Sequence, residues 1–334
     1  YSMENYTTYR TAESVSPRHP DKLCDQISDA LLDAYLDGDP ESRVAIEACG
    51  GHGQIFIVGE VTSTSPISHD NITKIVHDLA GNDLKVMINI VEQSPEIARG
   101  VDDGGAGDQG IMIGYATNET PELLPIEVVL ARRLNQSIYQ KFPFDGKTQV
   151  TIRLDEATGQ YHINSIVASF QNASAPELRQ LVEAFLQNHQ IDYLPELHLN
   201  PAGDWHQGGF AADTGLTGRK LIVDNYGPRI PIGGGCFSGK DPSKVDRSAA
   251  YMTRRIAIDY LRKRQAQEVF VRLAYAIGYG QPLEQTVVID GQAEQISGYD
   301  LTPQGIIRTL KLKRPIYEQT ARYGHFGEGF DWDK

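Results

Sequence analysis

The amino-acid sequence predicts an α+β fold whose sheets are antiparallel or mixed. Short apolar runs with strand character alternate with segments in which apolar residues recur at helical spacing. Several strand-like runs come in consecutive pairs between helices, which favours antiparallel or mixed sheets over a doubly wound parallel sheet. No pattern of residues repeats along the chain, and no low-complexity segment interrupts it.

The first helix is predicted over residues 21–35, where Leu23, Ile27 and Leu31 recur at helical spacing. Glycines between the next two apolar runs indicate a turn that joins two strands. The predicted elements of this part are, in order, strands 43–49 and 54–61, helix 68–80, strand 83–91 and helix 121–139.

Two strands that alternate apolar and polar residues follow, and the Thr158-Gly159 pair between them indicates a hairpin. The last part of the chain alternates helices and strands again. Its predicted elements are strands 148–155 and 161–170, helix 175–188, strand 220–224, helix 245–264, strands 268–278 and 285–290, and helix 302–312.

Length and composition bound the class of protein. The 334 residues suffice for about two or three domains, and 40% hydrophobic with 22% charged residues is typical of globular proteins. No apolar run of about 18 residues predicts a membrane helix. Three cysteines without metal-like spacing, and an N-terminus without a signal-peptide pattern, lead us to expect a cytoplasmic protein.

The charge distribution favours a small polyanion as the partner. The net charge of −13 argues against a general nucleic-acid binder, which is usually basic. Residues 219–255 nevertheless carry eight Lys or Arg against three Asp, so a cationic patch is predicted on an acidic protein. The eight are Arg219, Lys220, Arg229, Lys240, Lys244, Arg247, Arg254 and Arg255.

The stretch GGGCFSGKDPSKVDRSAAY carries part of this patch. Residues 234–240 fit the phosphate-loop pattern G-x-x-x-x-G-K, but Asp241 stands where that pattern needs Ser or Thr, and Pro242 follows. A degenerate phosphate loop, a surface loop and a different polyphosphate site all remain open. Lys240, Lys244 and Arg247 are candidate hydrogen-bond donors to a phosphate group. Asp241 and Asp246 are candidate Mg²⁺ ligands.

A second polar group stands at the start of the first helix, in ESVSPRHPDKL. Asp21 is a helix-capping candidate, and the positive helix N-terminus with Lys22 also suits phosphate and Mg²⁺. Glu47 and Glu60 interrupt apolar strands, where they either face water or point into a cleft.

Two glycine-rich stretches are candidate substrate loops. Gly104, Gly105, Gly107 and Gly110 alternate with carboxylates at 102, 103 and 108, as expected of a surface turn or of a lid. In NPAGDWHQGGFAAD, Trp205 offers a flat face for a purine, although an isolated aromatic residue is more often part of a core.

Taken in order, these stretches resemble the motifs of S-adenosylmethionine synthetases (methionine adenosyltransferases). The resemblance runs from Glu13 to Trp332 and includes HPDK, GAGDQGIMIGYATNET, GLTGRK, FSGKDPSKVDRSAAY and RPIYEQTARYGHFG. It implies three similar α+β subdomains around a pseudo-threefold axis, each a sheet with helices on one face. The corresponding stretches are an N-terminal domain over 9–98, a central domain over 105–207 and a C-terminal domain over 208–334, with subdomains interleaved across them.

The family chemistry is attack of the methionine sulfur on C5′ of ATP, with loss of tripolyphosphate that is then hydrolysed to phosphate and diphosphate. The resemblance implies ATP and L-methionine as partners, two Mg²⁺ per site and K⁺ as cofactors, and no nucleic acid or membrane. It also implies a homodimer with shared active sites, with two dimers forming a tetramer.

The site residues implied by the family motifs fall into four groups. The catalytic residues would be His19, Lys147, Arg219, Lys240 and Lys244. The nucleotide and polyphosphate would be bound by these and by Glu13, Lys22, Trp205, Asp213 and Lys220. Methionine would contact Glu60, Gln93, Asp108, Asp213 and Ile277. The metal ligands would be Asp21 and Asp246 for Mg²⁺ and Glu47 for K⁺.

The chain departs from the family pattern at three places. Pro17-Arg18 replaces the usual Glu-Gly before His19, GGFAAD stands where GGPxGD is usual, and the segment between Gly100 and Gly105 is shorter. The altered loops at Pro17-Arg18 and Phe210 to Ala212 leave a nucleotide-binding protein without catalysis open, and the pattern of residues 234–240 leaves a phosphate-loop kinase or NTPase open.

Overall fold

A computed structural model describes residues 7–93, 104–155, 158 and 160–334 of the chain. Within them lie twelve strands and seven α-helices. The N-terminal elements are β1 (Thr7–Val15), α1 (Pro20–Gly38), β2 (Arg43–Gly51), β3 (Gln54–Thr62), α2 (His69–Ala80), β4 (Lys85–Val91) and β5 (Gly110–Thr117). The central elements are α3 (Ile126–Lys141), β6 (Gly146–Asp155), β7 (Tyr161–Phe170), α4 (Ala175–Asn188) and β8 (Glu196–Leu199). The C-terminal elements are β9 (Gly215–Leu216), α5 (Leu221–Asp224), α6 (Val245–Arg264), β10 (Glu268–Tyr275), β11 (Glu284–Ile289), β12 (Gln292–Gln295) and α7 (Pro303–Leu310).

The strands form three four-stranded sheets, ordered β1-β6-β7-β8, β12-β11-β10-β5 and β4-β3-β2-β9. Each of the first and third sheets contains one parallel pair, β7 with β8 and β3 with β4, and the remaining pairs are antiparallel. Each sheet packs against one long helix: α3 lies on β1 and β6, α6 on β5 and β10, and α1 on β2. The predicted α+β class with three sheet-and-helix units and mixed sheets is confirmed.

The apolar core consists of two clusters. One lies between α3, α4 and the inner face of the β1-β6-β7 strands and includes Leu134, Val150 and Leu178. The larger one joins α1 and α6 to the other two sheets. Since α1 and α6 are buried along most of their lengths, their polar residues must be satisfied inside the protein.

Most predicted elements are found with small shifts of their ends, and helix 245–264 is found with the predicted bounds. The strand predicted over 220–224 is wrong, because Leu221–Asp224 forms a short helix. Its β-branched residues favour a strand by propensity, but Asp224 is held by Lys22 of α1 in the interior. The helix predicted from residue 121 begins at Ile126, because Leu123 adopts a positive φ of 57° and Pro125 is the N-cap.

The prediction also omitted five strands. These are β1, β5, β8, β9 and β12, of which β5 lies in the stretch predicted as a glycine-rich loop. The hairpin of β6 and β7 is confirmed, but Gly159 of its predicted turn lies outside the described residues. In the described part of the chain, no helix is long and apolar enough to cross a membrane.

Candidate active site

The N-terminus of α1 positions His19. His19 is the N-cap residue, and its Nδ1 accepts a hydrogen bond from the Asp21 N–H at 3.2 Å. Burial, and then the charge of Lys220, lowers the pKa of His19 from 6.5 to about 4, so the ring is neutral at physiological pH. Because Nδ1 is an acceptor, the hydrogen bond assigns the ring proton to Nε2, which can donate to a substrate.

Asp21, two residues later, is buried among cations. Its Oδ2 contacts Lys220 Nζ at 2.6 Å, its Oδ1 lies 3.5 Å from Arg219 Nε, and the Leu216 N–H donates to Oδ1 at 3.0 Å. Burial alone would raise the pKa of Asp21, but the bonds from Lys220 and Leu216 leave it below its ordinary value. The carboxylate is therefore ionised and holds two cations of the GLTGRK segment at the helix start.

A second group of charges lies at the start of α6. Lys240 Nζ contacts Asp246 Oδ2 at 2.7 Å, and both side chains remain partly exposed. Gly235 lies directly against the Asp246 carboxylate, since a Cβ at Gly235 would come within 2.3 Å of its Cγ. The glycine-rich loop thus wraps closely around this carboxylate.

Two charged residues of the stretch GGGCFSGKDPSKVDRSAAY are structural. Asp241 is 2% exposed and accepts the backbone N–H of Val44 at 2.7 Å and that of Ser243 at 2.8 Å, while its Oδ2 also pairs with Lys244. Arg247 is fully buried in a bidentate ion pair with Asp29. The prediction that Asp241 binds Mg²⁺ and the prediction that Arg247 donates hydrogen bonds to phosphate are therefore wrong, because neither side chain is free to face a substrate.

Strand β2 brings the two charged groups to one edge. One edge of β2 pairs with β3, and its other edge pairs with Gly215–Leu216 near one end and bridges Lys240 at Ala45 near the other. Glu47 lies between these two contacts and is partly buried. Burial raises the pKa of Glu47, while Lys240 lowers it and Glu60 raises it, so these three charges interact.

The sequence analysis did not predict the hydrogen bonds by which α1 holds these segments. Asp21, Asp25 and Asp29 follow one another at intervals of four residues, which places them on one face of α1. Each accepts one backbone N–H from the segments around β9 and Lys240: from Leu216 at 3.0 Å, Gly218 at 2.8 Å and Gly239 at 2.8 Å. We call these three residues the acidic stripe. The sequence feature that could have indicated these bonds is the spacing of the acids in DKLCDQISD, because three buried carboxylates on a helix need hydrogen-bond donors.

Lys22 differs from the other predicted polyphosphate residues. Its side chain is fully buried, and its Nζ contacts Asp224 Oδ1 at 2.6 Å and Asp25 Oδ2 at 3.1 Å. Burial alone would lower the pKa of Lys22, but the two carboxylates raise it. In the single chain Lys22 therefore joins α1 to α5 and presents no open face to a phosphate.

The predicted nucleoside residues lie beside the ends of β1, β6 and β7. Lys147 Nζ contacts Glu13 Oε2 at 2.7 Å, and the Trp205 indole N–H donates to Ser169 Oγ at 3.1 Å. Lys147 is paired with Ser169 across the β6–β7 ladder, so these four side chains are neighbours. The charge of Lys147 also lowers the pKa of His19, which links this group to the helix start.

The predicted methionine residues are spread over three places. The charge of Asp213 acts on the His19 ring, and Asp213 is exposed. Asp108 and the exposed Ile277 lie on two loops joined by the Ala106 N–H to the Tyr279 carbonyl at 2.9 Å. Glu60 lies in β3, and Gln93 follows β4 with a buried Oε1 that has no hydrogen-bond partner among the described residues.

The acidic glycine-rich segment and the metal ligands were also part of the predicted site. The carboxylates at 102 and 103 and the shortened segment from residue 100 lie outside the described residues, apart from its end at Gly104 and Gly105. Among the residues that are described, no three His, Cys, Asp or Glu side chains stand together as a metal-binding group. Each predicted metal ligand thus contributes a single carboxylate.

Comparison with known proteins supports the motif resemblance along the whole chain. Three family models match: the N-terminal domain of S-adenosylmethionine synthetase over residues 7–95, the central domain over 103–205 and the C-terminal domain over 207–334. The S-adenosylmethionine synthase 1 of Frankia casuarinae is 42% identical, with 97% of this chain and 95% of that protein covered.

Two further relatives give the same result. The S-adenosylmethionine synthase of Mycolicibacterium gilvum is 41% identical, with 95% of this chain and 93% of that protein covered. That of Corynebacterium urealyticum is 41% identical, with 95% and 92% covered. The resemblance of the motifs is thereby confirmed, and the chain belongs to the S-adenosylmethionine synthetase family.

Proposed function

We propose that this chain is a methionine adenosyltransferase in which the methionine sulfur displaces tripolyphosphate from C5′ of ATP. The same site then hydrolyses the tripolyphosphate to phosphate and diphosphate. Family membership supports the transferase activity and its substrates, ATP and methionine. The observation that supports the mechanism is the placement of a neutral His19 beside Asp21, Lys220 and Arg219.

The chemistry needs no general base. A thioether sulfur is uncharged and nucleophilic, so the barrier lies in aligning it with C5′ and in stabilising a leaving group with several negative charges. The Nε2–H of a neutral His19 can donate to the oxygen that leaves C5′. Its Nδ1 is already fixed by the Asp21 N–H, so the ring is oriented before substrate arrives.

The cations of the site are suited to the polyphosphate. Arg219 and Lys147 are about half exposed, and Lys220, Lys240 and Lys244 are partly exposed. Each contacts a carboxylate in the substrate-free chain, which holds the cation in place and offsets its charge until the substrate binds. Charge-assisted bonds to phosphate oxygens then replace or add to these pairs.

Asp21 and Asp246 fit the role of Mg²⁺ ligands only together with the substrate. Mg²⁺ is commonly held by one or two carboxylates, with phosphate oxygens and water completing its shell. Each of these carboxylates contacts a lysine beside the proposed polyphosphate position. When bound, Mg²⁺ would neutralise charge on the leaving group. The partly buried Glu47 is a suitable oxygen ligand for K⁺.

We also propose that two chains pair through the outer face of the β4-β3-β2-β9 sheet and complete each other's sites. That face exposes Phe56, Val58, Val91 and Leu216, which is a large apolar set for a free surface. Within the ranges that the structure describes, the buried Gln93 Oε1 after β4 has no hydrogen-bond partner, as expected of a group that a second chain or a substrate satisfies. Two such dimers would form the tetramer.

A phosphate-loop nucleotidase fits the structure less well. That motif needs a strand running into the loop and a helix starting at its lysine. Here residues 225–238 contain no strand, and α6 begins at Val245, five residues after Lys240. The loop instead wraps around Asp246 and bridges β2.

The activity is tested by incubating the chain with ATP, Mg²⁺, K⁺ and methionine and separating the products. We expect S-adenosylmethionine, phosphate and diphosphate. ADP as the main product would contradict the proposal, and ATP binding without turnover would favour the non-catalytic alternative.

The proposed dimer is tested by light scattering, in which Val58→Asp should convert the assembly to smaller species. Val61→Asp is not a suitable control, because Val61 packs on the core. Lys74→Asp on the exposed side of α2 is the matched surface control.

A further inference from the structure

A cavity of about 390 Å³ lies beside the turn that carries His19. Its walls include the apolar side chains of Leu23, Leu84, Phe144 and Phe210. The volume lies within the range of about 300–1,000 Å³ typical of small-molecule sites, which are mostly apolar with a few polar groups that orient the ligand. None of the residues proposed above to contact methionine lines it.

Two opposite charges, Arg18 and Asp83, line this cavity. The Arg18 guanidinium donates from Nη1 to the Leu79 carbonyl at 2.6 Å, at the C-terminal end of α2. In the described part of the chain no carboxylate pairs with Arg18, and no cation pairs with Asp83. The remaining Arg18 donors and the Asp83 carboxylate are thus open to a ligand.

The third charged wall residue, Asp145, is already engaged. It is 9% exposed, and its Oδ2 accepts the Gly209 N–H at 2.9 Å. Burial raises the pKa of Asp145 above its ordinary value. Asp145 therefore holds the turn at Gly209–Ala211 and leaves Arg18 and Asp83 as the charges that select a ligand.

We propose that this cavity binds a free α-amino acid with an apolar side chain, with Arg18 taking its carboxylate and Asp83 its ammonium group. The apolar walls would receive the side chain. Arg18 and Asp83 are both exposed. A zwitterion offers a partner to each of these two charges, whereas a simple anion or cation offers a partner to only one of them.

Occupancy of the cavity would act on two turns of the candidate active site. Arg18 directly precedes His19, and the Gly209–Ala211 turn ends two residues before Asp213. A ligand that contacts Arg18 and Phe210 therefore holds both turns in place. The site is a binding site additional to the methionine position of the proposed function.

The test is calorimetric titration of the intact chain with L-norleucine, whose methylene replaces the methionine sulfur and which therefore cannot become a sulfonium. We expect two equivalents per chain. Asp83→Asn and Arg18→Gln should each weaken one class of sites by about tenfold or more, since a charge-assisted contact is lost. Asp78→Asn, an exposed acid on α2 outside the cavity, should change neither class.

N-acetyl-norleucine lacks the ammonium group, so it should not fill this cavity. The proposal is overturned if Asp83→Asn and Arg18→Gln both bind norleucine with the stoichiometry and affinity of the parent chain. Asp108→Asn separates the two claims, because it should weaken only the class at the methionine position. If the proposed function fails, Asp108→Asn has no such effect, while the effect of Asp83→Asn remains. Unchanged circular dichroism confirms that the variants fold.

Discussion

Replacing Asp29 by Asn tests the buried ion pair by which the acidic stripe of α1 holds α6. Asp29 and Arg247 are both fully buried, with Oδ1–Nη1 at 2.6 Å and Oδ2–Nη2 at 2.8 Å. Asp29 Oδ1 also accepts the Gly239 N–H at 2.8 Å. Asn keeps the size of the side chain but removes its charge, so the Arg247 guanidinium is left without a counter-ion inside the protein.

The expected loss of stability is large. Breaking one partner of a buried pair costs about 3–5 kcal/mol. Arg247 keeps neutral partners, Thr320 Oγ1 at 3.2 Å and the Tyr317 ring at 4.2 Å, which place the loss toward the lower end of that range. With a urea dependence of up to about 3 kcal/mol per molar, the unfolding midpoint should fall by about 1 M or more.

The assay is equilibrium urea unfolding, with Asp259→Asn as the matched control. Asp259 pairs with Arg255 at 3.1 Å on the surface of α6, with both side chains about one-third exposed. Such a pair contributes less than about 1 kcal/mol. Equal losses for the two variants would refute the reasoning. Replacing Asp29 and Arg247 together by Leu and Met should recover part of the loss, since no charge is then left unpaired.

Three further predictions concern the proposed activity. Lys240→Met should lower kcat by about 10²–10³-fold, as expected for one lost contact to a developing anion, whereas Lys313→Met, far along the chain and paired with Glu41, should not. Asp246→Asn should raise the Mg²⁺ concentration needed for half-maximal rate; an unchanged requirement would remove Asp246 from the ligand set. The His19 ring should titrate by NMR near pH 4 instead of 6.5, because burial and Lys220 disfavour its charged form. The unfolded chain binds this proton first as pH falls, so the contribution of His19 to stability is complete above pH 6.5 and is lost as pH falls through about 4. A midpoint at or above 6.5 would contradict the neutral-donor role.

Local patterns predicted the long elements well. Helix 245–264 follows from its apolar spacing, and the β6–β7 hairpin follows from its alternation. Leu221–Asp224 was missed because its helical form depends on the ion pair of Asp224 with Lys22, about two hundred residues earlier in the chain. Strand β5 was missed because its glycines indicate a loop, although Gly114 is required by the close backbone of Thr253 in α6.

In the candidate site, too, residues within local motifs could be predicted, whereas contacts between distant parts of the chain could not. The resemblance to the family implies roles for His19, Asp21 and Lys220, and the structure brings these three side chains into one group. The burial of Lys22 and Arg247 could not be predicted, because a basic residue next to a motif looks the same whether it faces a phosphate or a distant carboxylate. Only the fold supplies Asp224 and Asp29 as their partners.

The most direct test of the mechanism follows the oxygen between C5′ and the α-phosphorus of ATP. With ¹⁸O at that position, attack of sulfur on carbon transfers all of the label to the inorganic products, phosphate and diphosphate. The account predicts that result and label-free S-adenosylmethionine. Label that remains with the nucleoside would show cleavage at phosphorus and would contradict displacement at C5′.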